Sequence, residues 1–390
     1  MLKKLPVGIQ TFEEIINDGY LYIDKTQGLH ELITTGKYYF LSRPRRVGKS
    51  LTLSTLKAIF TGQKALFAGL WIENQRDWGK INPVIHLQTS KLDYQTLGLD
   101  AALQRALHQI AGQYGMNITA PSLKTLFAEL LEKLAQQQGK VVLLIDEYDK
   151  PLIDYVDNIE QAKANQQTLK NFYSVIKDSD PYLQFLLITG VSKFSKVSVF
   201  SDLNNLYDIS RDHRFAGLVG YTQDELEHYF SPYLPAVGQR LKMDRVSLLV
   251  QLKDWYNGYS WDAETFVYNP FSILSFFQAQ SFENFWFETG TPTFLIRLLR
   301  EQQLFNLDSQ QASSLVFSSY DIERLQILPI LFQTGYLTIK AKDEFDLYQL
   351  SYPNREVRNS MLMYLIGDIR HDDPTATTVA NGLPEQDTQK

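Results

Sequence analysis

Two short segments constrain the fold of this 390-residue chain more than any others. The first, residues 43–50, reads Arg-Pro-Arg-Arg-Val-Gly-Lys-Ser and lies between an apolar run and a segment with helical spacing. The second, residues 141–147, is a continuous apolar run that ends in two adjacent carboxylates. Strand, loop and helix in this order are the setting of a phosphate-binding (Walker A) loop. The pair predicts an α/β fold of the P-loop nucleoside triphosphatase type, with a mainly parallel sheet.

The residue types in the two segments are those that bind a polyphosphate and its metal ion. Backbone N–H groups near Gly48 and the Lys49 ammonium would neutralise the phosphates, and the Ser50 hydroxyl would be a ligand for Mg²⁺. At the end of the second (Walker B) segment, Asp146 would orient the same Mg²⁺ and Glu147 would polarise the attacking water. We therefore predict ATP and Mg²⁺ as cofactors, with Lys49 and Glu147 as catalytic residues.

The phosphate loop departs from the usual pattern in its arginines. Arg43 stands where the motif normally opens with glycine, and Arg45 and Arg46 follow it. A guanidinium aimed at the transferring phosphoryl group would stabilise its developing charge, and we predict that catalytic role for Arg46. The alternative is that these side chains are exposed and only make the loop electropositive. Arg211 and Arg214 are further candidates, acting within the chain or toward a neighbouring subunit.

Polar side chains also end the predicted strand at residues 185–190, beside the nucleotide if the sheet is wound in the usual way. Thr189 or Ser192 could sense the terminal phosphate there, or could be ordinary strand-end hydroxyls. The metal ligands predicted from the sequence are Ser50 and Asp146. The predicted nucleotide-binding set comprises Arg43, Pro44, Arg45, Arg46, Val47, Gly48, Lys49, Ser50, Leu51, Asp146, Thr189 and Ser192.

Hydrophobic periodicity outlines the domains. Alternating apolar runs and amphipathic segments predict parallel strands at 38–42, 84–89, 141–146, 185–190 and 206–209, with helices at 99–114 and 122–137. Later helices are predicted at 222–230, 244–256, 270–280, 291–302, 321–332 and 356–366, with a hairpin at 335–350 that resembles a winged-helix unit. We divide the chain into a P-loop ATPase domain (1–215), a helical lid (216–320), a winged-helix-like region (321–368) and a disordered tail (369–390).

Composition limits the binding partners, the metal sites and the cellular location that this sequence predicts. With 44 acidic and 38 basic residues the formal charge is −6, which argues weakly against a whole-chain affinity for nucleic acid but leaves a local basic patch open. The absence of cysteine excludes disulfides and thiolate zinc sites. No segment reaches the roughly 18 to 20 apolar residues of a membrane span, and the N-terminus lacks the apolar stretch of a signal peptide. We expect a cytoplasmic protein that does not enter membranes.

Four segments together closely resemble the bacterial AAA-ATPase-like family: residues 5–12 (Leu-Pro-Val-Gly-Ile-Gln-Thr-Phe), 22–26 (Tyr-Ile-Asp-Lys-Thr), 43–50 and 255–259 (Trp-Tyr-Asn-Gly-Tyr). The resemblance runs to about Ile366 and implies a predicted ATPase related to signalling, STAND-like P-loop ATPases. It also implies that Arg43 is a family trait. Members often continue into a PD-(D/E)XK nuclease, but residues 367–390 lack its acidic strand and lysine, so we expect no nuclease activity from this sequence.

Three functions remain open at this point. The first is a slow Mg²⁺-dependent ATPase that acts as a nucleotide-controlled switch of the helical and winged-helix regions. The second is a DNA- or protein-binding module in which ATP is structural and hydrolysis is negligible, although the acidic turn at 342–346 suits a phosphate backbone poorly. A small-molecule kinase is a third reading, but Glu147 beside Asp146 favours water as the acceptor. A protein partner or a second copy of the chain is expected, and nucleic acid stays undecided.

Overall fold

The structure is a computed structural model that describes residues 2–193, 199–200, 203–286, 295, 298–300, 302–304, 307–317 and 326–372. One sheet contains β1 (Tyr38–Ser42), β2 (Val84–Gln88), β3 (Val141–Asp146), β4 (Leu183–Gly190) and β5 (Tyr207–Asp208). All neighbouring strands are parallel, in the order β2-β3-β4-β1-β5. The predicted α/β fold with a mainly parallel sheet is confirmed.

Both faces of this sheet are covered, and β3 shows why its sequence is continuously apolar. Leu143 and Ile145 belong to one core cluster, whereas Val142 and Leu144 belong to the cluster on the opposite face. Successive strand residues point to opposite faces, so a strand buried on both sides needs an apolar residue at every position. The α-helices that flank the sheet are Phe12–Asn17, Thr26–Thr35, Lys49–Phe60, Tyr94–Leu97, Leu99–Gln113, Leu123–Gln138, Lys150–Ile153 and Ile159–Asp178.

Two helix starts follow from capping side chains. The Ser122 hydroxyl accepts a hydrogen bond from the backbone N–H of Thr125 at 3.3 Å, which begins the helix Leu123–Gln138. Thr222 and Glu225 form a reciprocal capping box that begins the helix Gln223–Tyr229. The Ser122 and Thr222 hydroxyls thus satisfy backbone donors that have no partner within the helix.

The second half of the chain is helical with a small antiparallel sheet. Its helices are Gln223–Tyr229, Leu234–Leu241, Arg245–Tyr256, Pro270–Ala279, Ile327–Thr334 and Arg355–Asp372. The sheet order is β6-β8-β7, where β7 (Thr338–Lys342) and β8 (Leu347–Ser351) are the predicted hairpin and β6 (Gln310–Ser313) is an additional strand. Because β6 precedes residue 321, this sheet joins the two regions that the sequence analysis separated there.

The C-terminal helix also differs from its predicted extent. It continues to Asp372, so it includes the first residues of the segment predicted to be a tail. Residues 373–390 lie outside the described residues, as does most of the helix predicted at 291–302. No helix within the described parts of the chain is long and apolar enough to cross a membrane.

Candidate nucleotide-binding site

The strand order brings the two sequence motifs to one edge of the sheet. β4 lies between β1 and β3, so the end of β1 and the end of β3 both face the end of β4. Ser42 is in register with Gly190, and Ile145 is in register with Ile188. Ligands of open parallel sheets bind outside the carboxyl ends of the strands, and residues 43–50 and Asp146 both leave the sheet at that edge.

The phosphate loop turns sharply between β1 and its helix. Gly48 has a φ of 105°, in the left-handed region that favours glycine, and no atom lies within 4 Å of the position that a Cβ would occupy. Arg46 also has a positive φ, 66°. The Lys49 ammonium donates to the backbone carbonyls of Arg43 at 2.8 Å and Pro44 at 2.7 Å. The lysine side chain therefore connects the end of the loop to its beginning.

The electrostatic state of Lys49 follows from its burial. Its residue is only 7% exposed, and this desolvation lowers the pKa of Lys49 to about 8. The carboxylates of Asp146, Asp149 and Glu147 act in the opposite direction, in that order of size. The loop therefore places an ammonium group near three carboxylates in a partly dehydrated site, where charges interact more strongly than at the surface.

The two acidic residues at the end of β3 have different surroundings. Asp146 is 3% exposed, and its Oδ1 accepts a hydrogen bond from the Thr189 hydroxyl at 2.7 Å. Glu147 lines the pocket described below and has a φ of 54°, a left-handed conformation that is uncommon outside glycine. The Thr89 hydroxyl, which donates to the backbone carbonyls of both residues, holds this turn. Strained backbone held by its surroundings often marks a functional position.

The polar residues after β4 lie behind the carboxylates. Thr189 is fully buried and donates to Asp146, while the fully buried Ser192 donates from its hydroxyl to Asp149 at 2.7 Å. Neither residue lines the pocket. Their geometry orients the carboxylates, and their direct contact with a terminal phosphate stays a prediction.

Asp149 is a buried carboxylate that the sequence analysis did not single out. Its Oδ2 accepts hydrogen bonds from the backbone N–H of Val191 at 3.0 Å and from the N–H and hydroxyl of Ser192, both at 2.7 Å. Burial raises the pKa of Asp149, and these hydrogen bonds and the charge of Lys49 oppose that rise. The signal in the sequence was a third carboxylate two positions after Glu147.

We expect Asp149→Ala to lower the free energy of unfolding by about 3 kcal/mol, because three donors lose a buried acceptor. Each donor left without a partner costs about 1–3 kcal/mol, and water that enters the site offsets part of the sum. Urea denaturation followed by circular dichroism measures the change. The matched control is Asp93→Ala, which removes an exposed carboxylate that makes no capping hydrogen bond. Equal stability of the two variants would contradict the structural role of Asp149.

Arg43 is directed into the protein. The residue is 1% exposed, its Nη1 donates to the backbone carbonyls of Ser42 and Ser210, and its guanidinium carbon lies 4.0 Å from the ring centroid of Trp261. Burial lowers the pKa of Arg43 to about 9. Its side chain does not line the pocket, so it contributes to the site through its carbonyl, the acceptor of Lys49. Pro44 makes the same backbone contribution.

The other arginines separate into two groups. Arg45 and Arg46 line the pocket, and the Arg46 guanidinium lies 3.8 Å from the ring centroid of Phe271. Arg211 instead lies 4.6 Å from the rings of both Phe317 and Tyr348, and Arg214 pairs with Asp212 at 2.6 Å. Of the arginine candidates, the structure therefore brings Arg45 and Arg46 to the site.

The pocket itself has a volume of about 360 Å³ and two contrasting walls. The phosphate-loop wall contains Arg45, Arg46, Gly48, Lys49, Ser50, Leu51 and Glu147. The opposite wall, largely apolar, contains Pro6, Gly8, Ile9, Gln10, Ile15, Leu21, Tyr22, Ile23, Tyr221, Pro270, Phe271 and Leu274. This second wall is not predictable from the sequence motifs, although much of it comes from the two N-terminal segments that resemble the family.

An ion pair fixes the N-terminal segment against the helical region. The half-buried Lys25 ammonium pairs with Glu225 at 2.6 Å and donates to the Gly217 carbonyl at 2.9 Å. Burial lowers the pKa of Lys25, and Glu225 opposes that shift. Leu21 and Ile23 belong to the same core cluster as Leu226. The apolar wall of the pocket is therefore built jointly by the N-terminus and the helical region.

The described residues offer few side chains that could bind a metal ion together. Within the described residues no three His, Cys, Asp or Glu side chains cluster closely enough to hold a metal ion alone. Mg²⁺ in nucleotide sites usually has one or two protein ligands and takes the remainder from phosphates and water. Ser50 lines the pocket and Asp146 ends β3, and both carry oxygen donors, but their joint binding of Mg²⁺ stays a prediction.

Comparisons with known proteins show what this chain is similar to. A family model described as Predicted AAA-ATPase matches residues 6–200. A protein of Azotobacter chroococcum mcd 1, described as an uncharacterized protein in the vnfD 5' region, is 42% identical over 369 residues, which cover 92% of this chain and 69% of that protein. The solved structure of the Aeropyrum pernix ORC1 protein in complex with DNA aligns with 88% of this chain and 93% of its own, at 10% identity and a TM-score of 0.33. A likeness of that size says nothing about what this chain binds.

Proposed function

Because this chain belongs to the family of predicted AAA-ATPases, we propose that it binds ATP with Mg²⁺ and hydrolyses it slowly, as a nucleotide-controlled switch. The observation that carries the proposal is that Lys49, Ser50 and Glu147 line one pocket whose other wall is apolar. A site with phosphate-binding groups on one side and apolar groups on the other suits a nucleoside triphosphate. The P-loop ATPase-type fold supports the same conclusion.

On the phosphate side, each residue has a separate task in the proposal. The Lys49 ammonium, now bound to two loop carbonyls, would exchange them for phosphate oxygens. Ser50 and Asp146 would hold Mg²⁺, which when bound neutralises charge on the outer phosphates. Glu147, which lines the pocket, would orient the attacking water and accept its proton.

On the opposite side, the apolar wall would hold the base. Ile9, Tyr22 and Phe271 offer apolar and aromatic surface to a flat ring, and Gln10 offers an amide that can both donate and accept hydrogen bonds. Because Phe271 and Leu274 belong to the helix Pro270–Ala279, the nucleotide would contact the P-loop domain and the helical region at once. That shared contact is the physical basis for the proposed switch.

Phosphate release by the purified protein tests the proposal. With MgATP we expect slow release that EDTA abolishes, accompanied by one ADP for each phosphate, and slower release with MgGTP. Formation of ADP without free phosphate would indicate transfer to another acceptor. ATP binding with no release above the blank would support the alternative, a DNA- or protein-binding module in which ATP is structural. A protein partner or self-association stays a prediction.

A further inference from the structure

A buried carboxylate far along the chain is linked to the phosphate loop. Glu356 lies in the first turn of the C-terminal helix and is fully buried. Its Oε2 accepts a hydrogen bond from the Ser272 hydroxyl at 2.8 Å, and its Oε1 accepts one from the backbone N–H of Trp286 at 2.8 Å. Burying a carboxylate is costly unless its oxygens are hydrogen-bonded, and these two hydrogen bonds offset the cost of burying Glu356.

The residues next to these two partners contact Arg46. Phe271, adjacent to Ser272, presents its ring to the Arg46 guanidinium at 3.8 Å. Phe285, adjacent to Trp286, accepts a hydrogen bond at its carbonyl from Arg46 Nη1 at 3.4 Å. Each of two dipeptides thus touches the phosphate-loop arginine with one residue and the buried Glu356 carboxylate with the other.

Glu356 and Arg46 also interact through their charges. Burial raises the pKa of Glu356 to about 7, whereas its hydrogen bonds and the positive charge of Arg46 act to lower it. The carboxylate therefore interacts with the guanidinium electrostatically as well as through the two dipeptides. Attraction between opposite charges is strong where water is excluded.

We propose that Glu356 is a positioning residue for Arg46, holding the guanidinium at the wall of the pocket through Phe271-Ser272 and Phe285-Trp286. This inference rests on the proposed ATPase function. Arg46 has a left-handed backbone and a long flexible side chain, and both need support to present the guanidinium in one place. The C-terminal helix would then influence ATP turnover without touching the nucleotide.

A double-mutant cycle tests the inference. In the wild-type background, Glu356→Gln should lower kcat about tenfold with little change in ADP affinity, a coupling of the size expected for residues in one network. In the Arg46→Ala background the same substitution should have almost no further effect, because the residue that Glu356 positions is gone. Equal losses in the two backgrounds, or no loss in either, would overturn the proposal.

Two serines of the same helix provide a milder test that does not depend on Glu356→Gln folding. Ser272→Ala removes one hydrogen bond to Glu356 and should lower kcat about threefold, whereas the matched Ser275→Ala should leave it unchanged. Equal kcat for the two serine variants would also overturn the proposal. Failure of the ATPase proposal is distinguishable, since wild-type protein would then release no phosphate at all.

Discussion

Lys49→Ala should abolish measurable ATP turnover and weaken ATP binding by roughly 100-fold, which is equivalent to about 2.7 kcal/mol. The substitution removes a buried ammonium that faces three carboxylates and is ready to bind phosphate oxygens. Hydrogen bonds to charged groups contribute about 1.5–3 kcal/mol each, so loss of one or two accounts for the expected weakening. Titration calorimetry with MgATP measures the affinity.

The matched control for Lys49→Ala is Lys57→Ala, which removes an exposed lysine from the last turn of the same helix. Its ATP affinity and turnover should equal those of the wild type. Wild-type affinity in Lys49→Ala would show that ATP does not bind at the phosphate loop and would remove the basis of the proposed function.

Glu147→Gln should reduce turnover by roughly 10²–10⁴, the usual contribution of a general base, while ATP binds within about twofold of wild-type affinity. Glutamine keeps the size of the side chain and, like glutamate, is a non-glycine residue at a φ of 54°, so the turn after β3 should be preserved. Only the capacity to accept a proton from water is lost. Rapid-quench assays and equilibrium binding separate the two effects.

Glu160→Gln is the matched control for Glu147→Gln, because it makes the same carboxylate-to-amide replacement away from the pocket. It alters an exposed glutamate in the first turn of the helix Ile159–Asp178 and should leave turnover unchanged. If Glu147→Gln hydrolysed ATP as fast as this control, Glu147 would not be the base, and the proposed role of the carboxylate pair would be wrong.

The parts of the fold that sequence predicted are those encoded by local patterns. Continuous apolar runs identified β1 and β3 with their observed bounds, and apolar periodicity identified the helices Leu123–Gln138 and Gln223–Tyr229. The strand β6 was missed because Gln310–Ser313 contains no β-branched or aromatic residue, so pairing with β8 and not intrinsic propensity determines its conformation.

The candidate site was predictable on its phosphate side only. Residues 48–50 and 146–147 carry their chemistry in a short motif, whereas the apolar wall combines residues from the N-terminus and from the helix Pro270–Ala279. The direction of Arg43 depends on Trp261, and the burial of Glu356 depends on Ser272 and Trp286. Contacts between such distant positions leave no periodicity in a single sequence from which they could be inferred.

The measurement that tests the central claim most directly is a single turnover with protein in excess over γ-³²P-labelled MgATP. We predict that wild-type protein converts its bound ATP to ADP and free phosphate, that Glu147→Gln holds the ATP intact, and that Lys49→Ala binds almost none. If wild-type protein instead retained intact ATP for as long as Glu147→Gln does, hydrolysis at this site would be contradicted, and ATP would be a structural ligand.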